Sequence, residues 1–175
     1  MGKRSNFERK PRDFYPTPIE AVIPLMPHLP KMFTFSEPCA GDGRLVDHIE
    51  TLGGYGVKCT HKSDVEPNAE GIMQMDAFDY KVTNEKYIIT NPPWDRKLLH
   101  PMIEHFAGQS PTWLLFDANW MFTKQAKDYL PWCKKIVTIG RVKWIEDSKG
   151  AGKDDSCWYL FHNDGWSDPT LFYGK

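Results

Sequence analysis

The sequence predicts a single α/β domain with a mostly parallel mixed sheet and helices packed on both of its faces. Short apolar segments of strand-like length alternate with helical segments along most of the chain, and this alternation is typical of βαβ units. The length of 175 residues fits one domain, because single domains usually hold about 100–200 residues. A composition that is 41% hydrophobic and 14% aromatic indicates a packed core.

The predicted strands are short, apolar segments bounded by turn residues. They are Met32–Glu37, Val57–Asp64, Ile72–Met75, Lys86–Asn91, Thr112–Asp117, Lys135–Gly140 and Ser156–His162. The earlier strands alternate with helices and are therefore predicted to be parallel. The last two are predicted to form a late antiparallel hairpin.

The predicted helices span Ile19–Met26, residues 44–52, 67–71 and 96–107, and Thr123–Leu130. The first begins after Pro18 and carries Glu20 in its opening turn, where proline and acidic side chains are favoured. Pro24 weakens this prediction because proline disrupts a helix interior, and Pro27 and Pro30 end the segment.

The loops that follow the parallel strands are predicted to share one cleft. Right-handed crossovers place the carboxyl ends of parallel strands at one edge of the sheet, and ligands bind outside that edge. The loops concerned are residues 38–44, 64–67, 76–79 and 91–96.

Residues 1–13 are predicted to form a basic, flexible arm, and residues 14–175 the single domain, without a separate target-recognition domain. The arm is polar and lacks periodicity, and its cations are Lys3, Arg4, Arg9, Lys10 and Arg12. The formal net charge is −1, so affinity for nucleic acid must come from local patches of this kind. The polar, glycine-bearing segment 146–155 is predicted to be a flexible loop.

The protein is expected to be soluble and cytoplasmic, with no membrane association. No apolar run approaches the roughly 20 residues that a membrane-spanning helix needs, and the first residues lack a signal-peptide core. The four cysteines form no Cys-x-x-Cys pair, so they are expected to be reduced structural thiols. The histidines show no metal-ligand spacing, and no metal site is predicted.

The first segment with chemical content is the turn Glu37-Pro38-Cys39-Ala40-Gly41-Asp42-Gly43, between a predicted strand and a predicted helix. Its glycines would let backbone amides approach a ligand without interference from a Cβ atom. A tight strand-to-helix turn with no ligand is the alternative. A dinucleotide-binding fingerprint is disfavoured because its third glycine position holds Val46.

Two acidic segments follow the next predicted strands. Asp64 could accept hydrogen bonds from both hydroxyls of a nucleoside ribose, or it could simply cap a helix that starts near Pro67. Asp76, followed by Ala77 and Phe78, offers a carboxylate for an adenine amino group and a ring for its face. A solvated aspartate beside a core phenylalanine is equally consistent with that pattern.

The most specific segment is Asn91-Pro92-Pro93-Trp94, directly after an apolar strand. The N6 lone pair of adenine is delocalised into its ring and is a poor nucleophile until the amine is drawn toward tetrahedral geometry. The Asn91 side-chain oxygen and the Pro92 carbonyl could each accept one N–H of that amine. Pro93 stiffens the turn, and Trp94 offers a face for a base taken out of a duplex.

Taken together, these motifs resemble the motif series of class I S-adenosylmethionine-dependent amino-methyltransferases. The segment Asp13-Phe14-Tyr15-Pro16-Thr17-Pro18 also resembles the one that precedes the cofactor loop in many N6-adenine DNA methyltransferases, including small phage-type enzymes. The resemblance covers roughly residues 13–117. It implies a Rossmann-like fold, S-adenosyl-L-methionine as cofactor, duplex DNA with a flipped adenine as substrate, and a bacterial or phage-infected cell as the setting.

The resemblance also implies a role for each matching residue. Glu37, Pro38, Ala40, Gly41 and Gly43 would hold the methionine part of the cofactor, Asp64 its ribose, and Asp76, Ala77 and Phe78 its adenine. Tyr15, Pro16 and Thr17 would close over the cofactor, and Asn91, Pro92, Pro93 and Trp94 would handle the target base. Tryptophan stands where the family more often has tyrosine or phenylalanine. Without a recognition domain, the recognised DNA sequence would be short or the specificity relaxed. Otherwise, recognition would need a partner subunit or a second copy of the chain.

Other functions stay open on the sequence alone. The chain could be an RNA adenine methyltransferase or a protein glutamine methyltransferase, because the target nitrogens of those enzymes are equally poor nucleophiles. The basic arm with the Tyr-Pro-Thr-Pro segment favours nucleic acid over protein as the substrate. A noncatalytic protein that binds the cofactor or nucleic acid is a further alternative, which an intact Asn91-Pro92-Pro93-Trp94 segment disfavours.

Overall fold

The computed structural model describes residues 15–145, 152, 154–165 and 169–174. The predicted arm, residues 1–13, and most of the predicted loop, residues 146–155, lie outside these ranges. Within them, no helix combines the length and the apolar character needed to cross a membrane.

The described strands form one eight-stranded sheet in the order β3-β2-β1-β4-β5-β7-β6-β8. Parallel pairing joins β3 to β2, β2 to β1, β1 to β4 and β4 to β5. β7 lies antiparallel between β5 and β6, as the predicted late hairpin requires. The strands are β1 Phe33–Glu37, β2 Val57–Asp64, β3 Met73–Gln74, β4 Tyr87–Thr90, β5 Thr112–Asp117, β6 Cys133–Gly140, β7 Ser156–Phe161 and β8 Leu171–Tyr173.

Helices α1, Ile19–Val22, and α2, Arg44–Gly53, pack on one face of the sheet, and α3, Arg96–Ala107, packs on the other. α2 follows Gly43, whose φ of +80° favours glycine. α3 is preceded by Asp95, whose carboxylate accepts the backbone N–H of Lys97 at 3.0 Å. This is an N-cap that satisfies a free amide of the first turn.

The central strands bury apolar side chains on both faces, as strands covered by helices on both sides must. In β4, Ile88 joins the core under α3, whereas Ile89 joins the core under α1 and α2. In β5, Leu114 and Leu115 divide in the same way. These two cores fix the position of the carboxyl ends of β1, β2, β4 and β5.

Two predicted helices are wrong, and the first predicted helix is shorter than expected. α1 ends at Val22 and continues as a 3-10 turn, Ile23–His28, which contains Pro24 and Pro27. Residues 67–71 form a turn in which no side chain is buried, so no apolar face holds a helix there.

The segment predicted as the helix Thr123–Leu130 forms short 3-10 turns, Lys124–Asp128 and Leu130–Trp132. Ala126 is the one buried residue of the first turn, and Pro131 lies at the start of the second. A single small buried side chain gives too little apolar surface to hold an α-helix against the sheet. Strand β8 was not predicted at all.

Candidate active site

A cavity of about 750 Å³ lies at the carboxyl edge of the parallel strands. The four loops predicted to share one cleft all contribute to it, so this structural prediction is confirmed. Its lining comprises Tyr15, Pro16, Thr17, Glu37, Pro38, Cys39, Ala40, Gly41, Asp42, Leu45, Asp64, Val65, Glu66, Asn68, Asp76, Ala77, Phe78, Asn91, Pro93, Asp95, Leu98 and Met102.

The turn after β1 forms one wall of the cavity. Gly41 lies at φ +55° and lines the cavity. Gly43, predicted to contact a cofactor, does not line the cavity; its N–H donates to the Ala40 carbonyl at 2.7 Å. The role of Gly43 visible in the structure is to close the turn and start α2.

Glu37 ends β1 and is the most deeply buried acidic group of the cavity wall. Its side chain is 1% exposed, and its Oε2 atom has no hydrogen-bond partner among the described residues. Burial, followed by the nearby charges of Asp64 and Asp42, raises the pKa of Glu37 well above its ordinary value. An unpaired buried carboxylate is costly, so without a ligand this position favours the protonated acid, and a cationic ligand would stabilise the charged form.

Asp64 ends β2 and connects two walls of the cavity. Its Oδ2 atom accepts the N–H of Gly41 at 2.8 Å, and its Oδ1 atom accepts the N–H of Glu66 at 2.8 Å. The carboxylate therefore braces the loop, although it caps no helix, since none starts near Pro67. Each oxygen keeps a second lone pair, which leaves Asp64 able to accept from a ligand hydroxyl as well.

Asp76, Ala77 and Phe78 form the turn after β3, and all three line the cavity. The Oδ1 atom of Asp76 accepts the N–H of Phe78 at 2.9 Å. The Phe78 ring packs edge-on against His105 of α3, with ring centroids 5.7 Å apart. A carboxylate and a partly buried aromatic ring are thus held side by side at this end of the cavity.

Asn91 directly follows β4, and its side-chain amide faces the segment that precedes α1. The Nδ2 atom donates to the Tyr15 carbonyl at 3.3 Å and to Thr17 Oγ1 at 3.2 Å. These contacts bring Tyr15, Pro16 and Thr17, predicted to close over the cofactor, onto the cavity wall beside Asn91.

The Trp94 indole N–H is hydrogen-bonded to Asn91 and to β5, and stacking of the ring face on a base stays a prediction. The indole N–H donates to Asn91 Oδ1 at 3.2 Å and to the Leu115 carbonyl of β5 at 3.1 Å. The ring also packs edge-on against Trp144, with centroids 5.7 Å apart. Trp94 does not line the large cavity, and neither does Pro92, which is buried, whereas Pro93 does.

Four residues of the lining lie outside both the predicted site residues and the predicted loops. Leu98 and Met102 lie four residues apart on α3 and so share a helix face. This spacing was visible in the sequence. Leu45 and Asn68 were also missed, and the backbone N–H of Asn68 donates to the Gly41 carbonyl at 2.8 Å. That contact depends on tertiary structure and left no local signal.

No protein-family model matches the chain, and no curated protein matches it by sequence. Solved structures do match. A protein from Listeria monocytogenes described as a class I S-adenosylmethionine-dependent methyltransferase has a TM-score of 0.56 at 12% identity over 89% of this chain and 64% of its own. A Pyrococcus horikoshii protein described as an RNA methyltransferase has a TM-score of 0.56 at 15% identity, over 91% and 92% of the two chains.

A Vibrio vulnificus protein described as a modification subunit of a type I restriction enzyme has a TM-score of 0.54 at 12% identity. The match covers 92% of this chain and 47% of the Vibrio protein. The chain therefore spans about two thirds of the Listeria protein and about half of the Vibrio protein. The strand order and these likenesses show that the chain has the Rossmann-like fold of class I methyltransferases.

Proposed function

We propose that this protein transfers a methyl group from S-adenosylmethionine to the N6 amine of adenine in DNA. The observation that carries the proposal is the continuity of one cavity from the buried Glu37 to Asn91. An acidic wall, which would attract a cation, and a carboxamide, which could accept from an exocyclic amine, thus face the same space.

The charge of the cavity supports a cationic cofactor. Among the described residues that line it, none is lysine or arginine, and six are acidic: Glu37, Asp42, Asp64, Glu66, Asp76 and Asp95. S-adenosylmethionine carries a sulfonium and an ammonium group, which such a wall attracts. The phosphates of a dinucleotide or of ATP would be repelled. The volume of about 750 Å³ also falls in the usual range for ligand sites.

The residues present fit the ammonium group, the ribose and the adenine of this cofactor. Glu37 would accept hydrogen bonds from the ammonium group, and that pairing would offset the desolvation of its carboxylate. Asp64 would accept from the ribose hydroxyls while keeping its bonds to the loop. Asp76 would accept from the adenine amine, and Phe78 would pack on the adenine ring.

Asn91 and the Pro92 carbonyl would accept the two N–H groups of the target amine and direct its lone pair toward the methyl group. Bound S-adenosylmethionine supplies an electrophilic methyl carbon on a positively charged sulfur. In the transfer, the nitrogen lone pair would form the new C–N bond, the electron pair of the C–S bond would go to sulfur, and one N–H proton would leave to solvent. Positioning is the main contribution required of the protein.

DNA is favoured as the substrate by the resemblance of residues 13–18 to the segment found in N6-adenine DNA methyltransferases. Tyr15 and Thr17 of that segment accept hydrogen bonds from the Asn91 amide, so the segment lies at the end of the cavity where the target amine would bind. The basic residues 1–13 supply cations for phosphate.

The test is incubation with tritiated S-adenosylmethionine and unmethylated duplex DNA, beside parallel reactions with RNA and with protein. The products are hydrolysed and the labelled nucleosides or amino acids identified. We expect label in N6-methyladenine from DNA. Label confined to RNA or protein would replace the substrate, and measurable cofactor binding without any transfer would overturn the catalytic proposal.

A further inference from the structure

The segment between β5 and β6 presents an aromatic side chain and two cations to solvent. The 3-10 turn Ala118–Phe122 leaves the Phe122 side chain 81% exposed. In the next turn, Lys124 and Lys127 are exposed. Residues 118–127 contain no acidic side chain.

This segment lies beside the amine-binding end of the cavity. Arg96, in the first turn of α3, donates from Nη1 to Gln125 Oε1 at 2.7 Å. Arg96 also shares a small cavity with Trp94 and Trp120. Since the Trp94 indole donates to Asn91, a short path of contacts joins the exposed segment to the proposed catalytic turn.

This surface carries cations, which the described cavity lining lacks. Arg96, Lys124 and Lys127 are cationic, and the two nearby carboxylates point into local hydrogen bonds: Asp95 caps α3, and Asp117 accepts the Asn119 N–H. Asp128 follows Lys127 and reduces the local charge. Lysine and arginine bind phosphates with release of counterions, and an exposed aromatic ring stacks on unpaired bases.

We propose that Arg96, Phe122, Lys124 and Lys127 form the surface that receives the DNA strand carrying the target adenine. The three cations contact the phosphates that flank this nucleotide. Phe122 stacks on the base next to the extruded adenine and offsets part of the lost base stacking. This inference rests on the proposed function, because it requires DNA as the substrate.

The test measures binding of the full chain to a fluorescent duplex with one unmethylated adenine opposite an abasic site, across a series of salt concentrations. Lys124→Gln with Lys127→Gln should make the slope of log affinity against log salt less negative by about 0.9 for each phosphate that the protein no longer neutralises. Phe122→Ala should weaken binding about five- to hundredfold, with a smaller change in the salt slope. Neither change should alter S-adenosylmethionine affinity, since none of these residues lines the cavity.

Matched controls lie at the opposite edge of the sheet, near the start of β2. They are Tyr55→Ala, which removes another fully exposed aromatic ring, and Lys31→Gln with Lys58→Gln, which removes the same charge. Both controls should bind DNA as the wild type does. Equal losses in the controls and in the Phe122 or lysine variants would overturn the proposed surface.

The outcomes separate this inference from the proposed function. If the wild type methylates DNA and the Phe122 and lysine variants bind it unchanged, the surface is wrong and the function stands. If the wild type binds and methylates an RNA hairpin and not the duplex, both fall. If the variants lose duplex affinity and the salt slope falls as expected, the surface is supported whatever the rate of transfer.

Discussion

The two edges of the parallel sheet each hold a buried glutamate, and the pKa values of the two side chains are shifted in opposite directions. Glu37 ends β1 at the carboxyl edge, where burial raises its pKa well above the ordinary value. Glu85 lies just before β4 at the amino edge. There burial alone would raise the pKa of Glu85, yet hydrogen bonds from Thr83, Asn84 and Thr60 lower it to about 2.

The difference lies in hydrogen-bond satisfaction. Glu85 accepts the N–H groups of Thr83 and Asn84 at 2.8 and 3.0 Å, and the Thr60 hydroxyl at 3.0 Å. Glu37 has one oxygen without a partner among the described residues and faces other carboxylates. A satisfied buried charge serves the fold, whereas an unsatisfied one beside a cavity indicates a ligand site. Substitutions at the two edges should therefore separate function from stability.

The largest expected effect is on turnover, from Asn91→Ala at the carboxyl edge. This substitution removes the proposed acceptor of the target amine, and losses of such preorganised polar groups reduce the rate by about 10²–10³-fold or more. S-adenosylmethionine affinity should stay within a few-fold of wild type. The measurements are transfer of labelled methyl to DNA and cofactor affinity by calorimetry.

Asn84→Ala is the matched control, because Asn84 is exposed at the opposite end of the same strand region. Its side chain lies far from the cavity lining, so turnover should be unchanged. Near-normal turnover in Asn91→Ala would show that the carboxamide is not part of the chemistry and would remove the basis for the mechanism.

The course of the central sheet was predictable because each central strand is short, apolar and followed by a turn signal. The bounds of β2 and β5 coincide with the predicted ones, Val57–Asp64 and Thr112–Asp117. Predictions failed where few side chains are buried. β8 has three exposed residues, and residues 67–71 bury none, so local pattern carried little information there.

The sequence predicted which segments line the cavity better than it predicted the hydrogen bonds between them. Glu37 and Asp64 end their strands and Asp76 follows one, and parallel topology alone brings strand ends together. The hydrogen bonds from the Trp94 indole to Asn91 and Leu115 were not predictable, because they depend on how far β5 lies from the turn after β4. The same holds for Gly43, whose position in the turn removes it from the cavity.

The next largest effect is expected on cofactor affinity, from Glu37→Gln. The substitution keeps the shape and removes the charge that would pair with the ammonium group. Hydrogen bonds to charged groups contribute about 1.5–3 kcal/mol, so affinity should fall about ten- to hundredfold. Calorimetric titration with S-adenosylmethionine measures the loss.

The Glu37→Gln variant should lose cofactor affinity without losing thermal stability. The raised pKa of Glu37 means that, without ligand, its ionisation opposes folding as the pH rises toward neutrality. The glutamine variant should therefore unfold at an equal or higher temperature than wild type at neutral pH. Unchanged cofactor affinity in Glu37→Gln, with Glu85→Gln as the control, would contradict the assignment of Glu37 to the ammonium group.

A smaller effect on turnover is expected from Trp94→Phe. Phenylalanine keeps an aromatic ring and loses the N–H that bonds to Asn91 Oδ1. A net hydrogen bond contributes about 1 kcal/mol, so kcat should fall about fivefold while KM for DNA changes little. Steady-state kinetics check this, with Trp132→Phe as a control at the amino edge. A rise in KM with unchanged kcat would indicate that the ring, and not its N–H, matters.

The smallest effect is expected on stability, from Glu85→Gln, and its sign follows from the lowered pKa. A carboxyl whose pKa falls from 4.5 to about 2 on folding stabilises the native state above pH 4.5, and this contribution is lost as the pH falls toward 2. Replacement by glutamine should lower the free energy of unfolding by about 1 kcal/mol at pH 7, and the gap to wild type should narrow between pH 5 and pH 3. Urea unfolding of both proteins at pH 5 and at pH 3 measures this difference in the free energy of unfolding. A gap that does not change with pH would mean that the Glu85 charge is not what the surrounding N–H and hydroxyl groups stabilise, and that the two edges differ in packing alone.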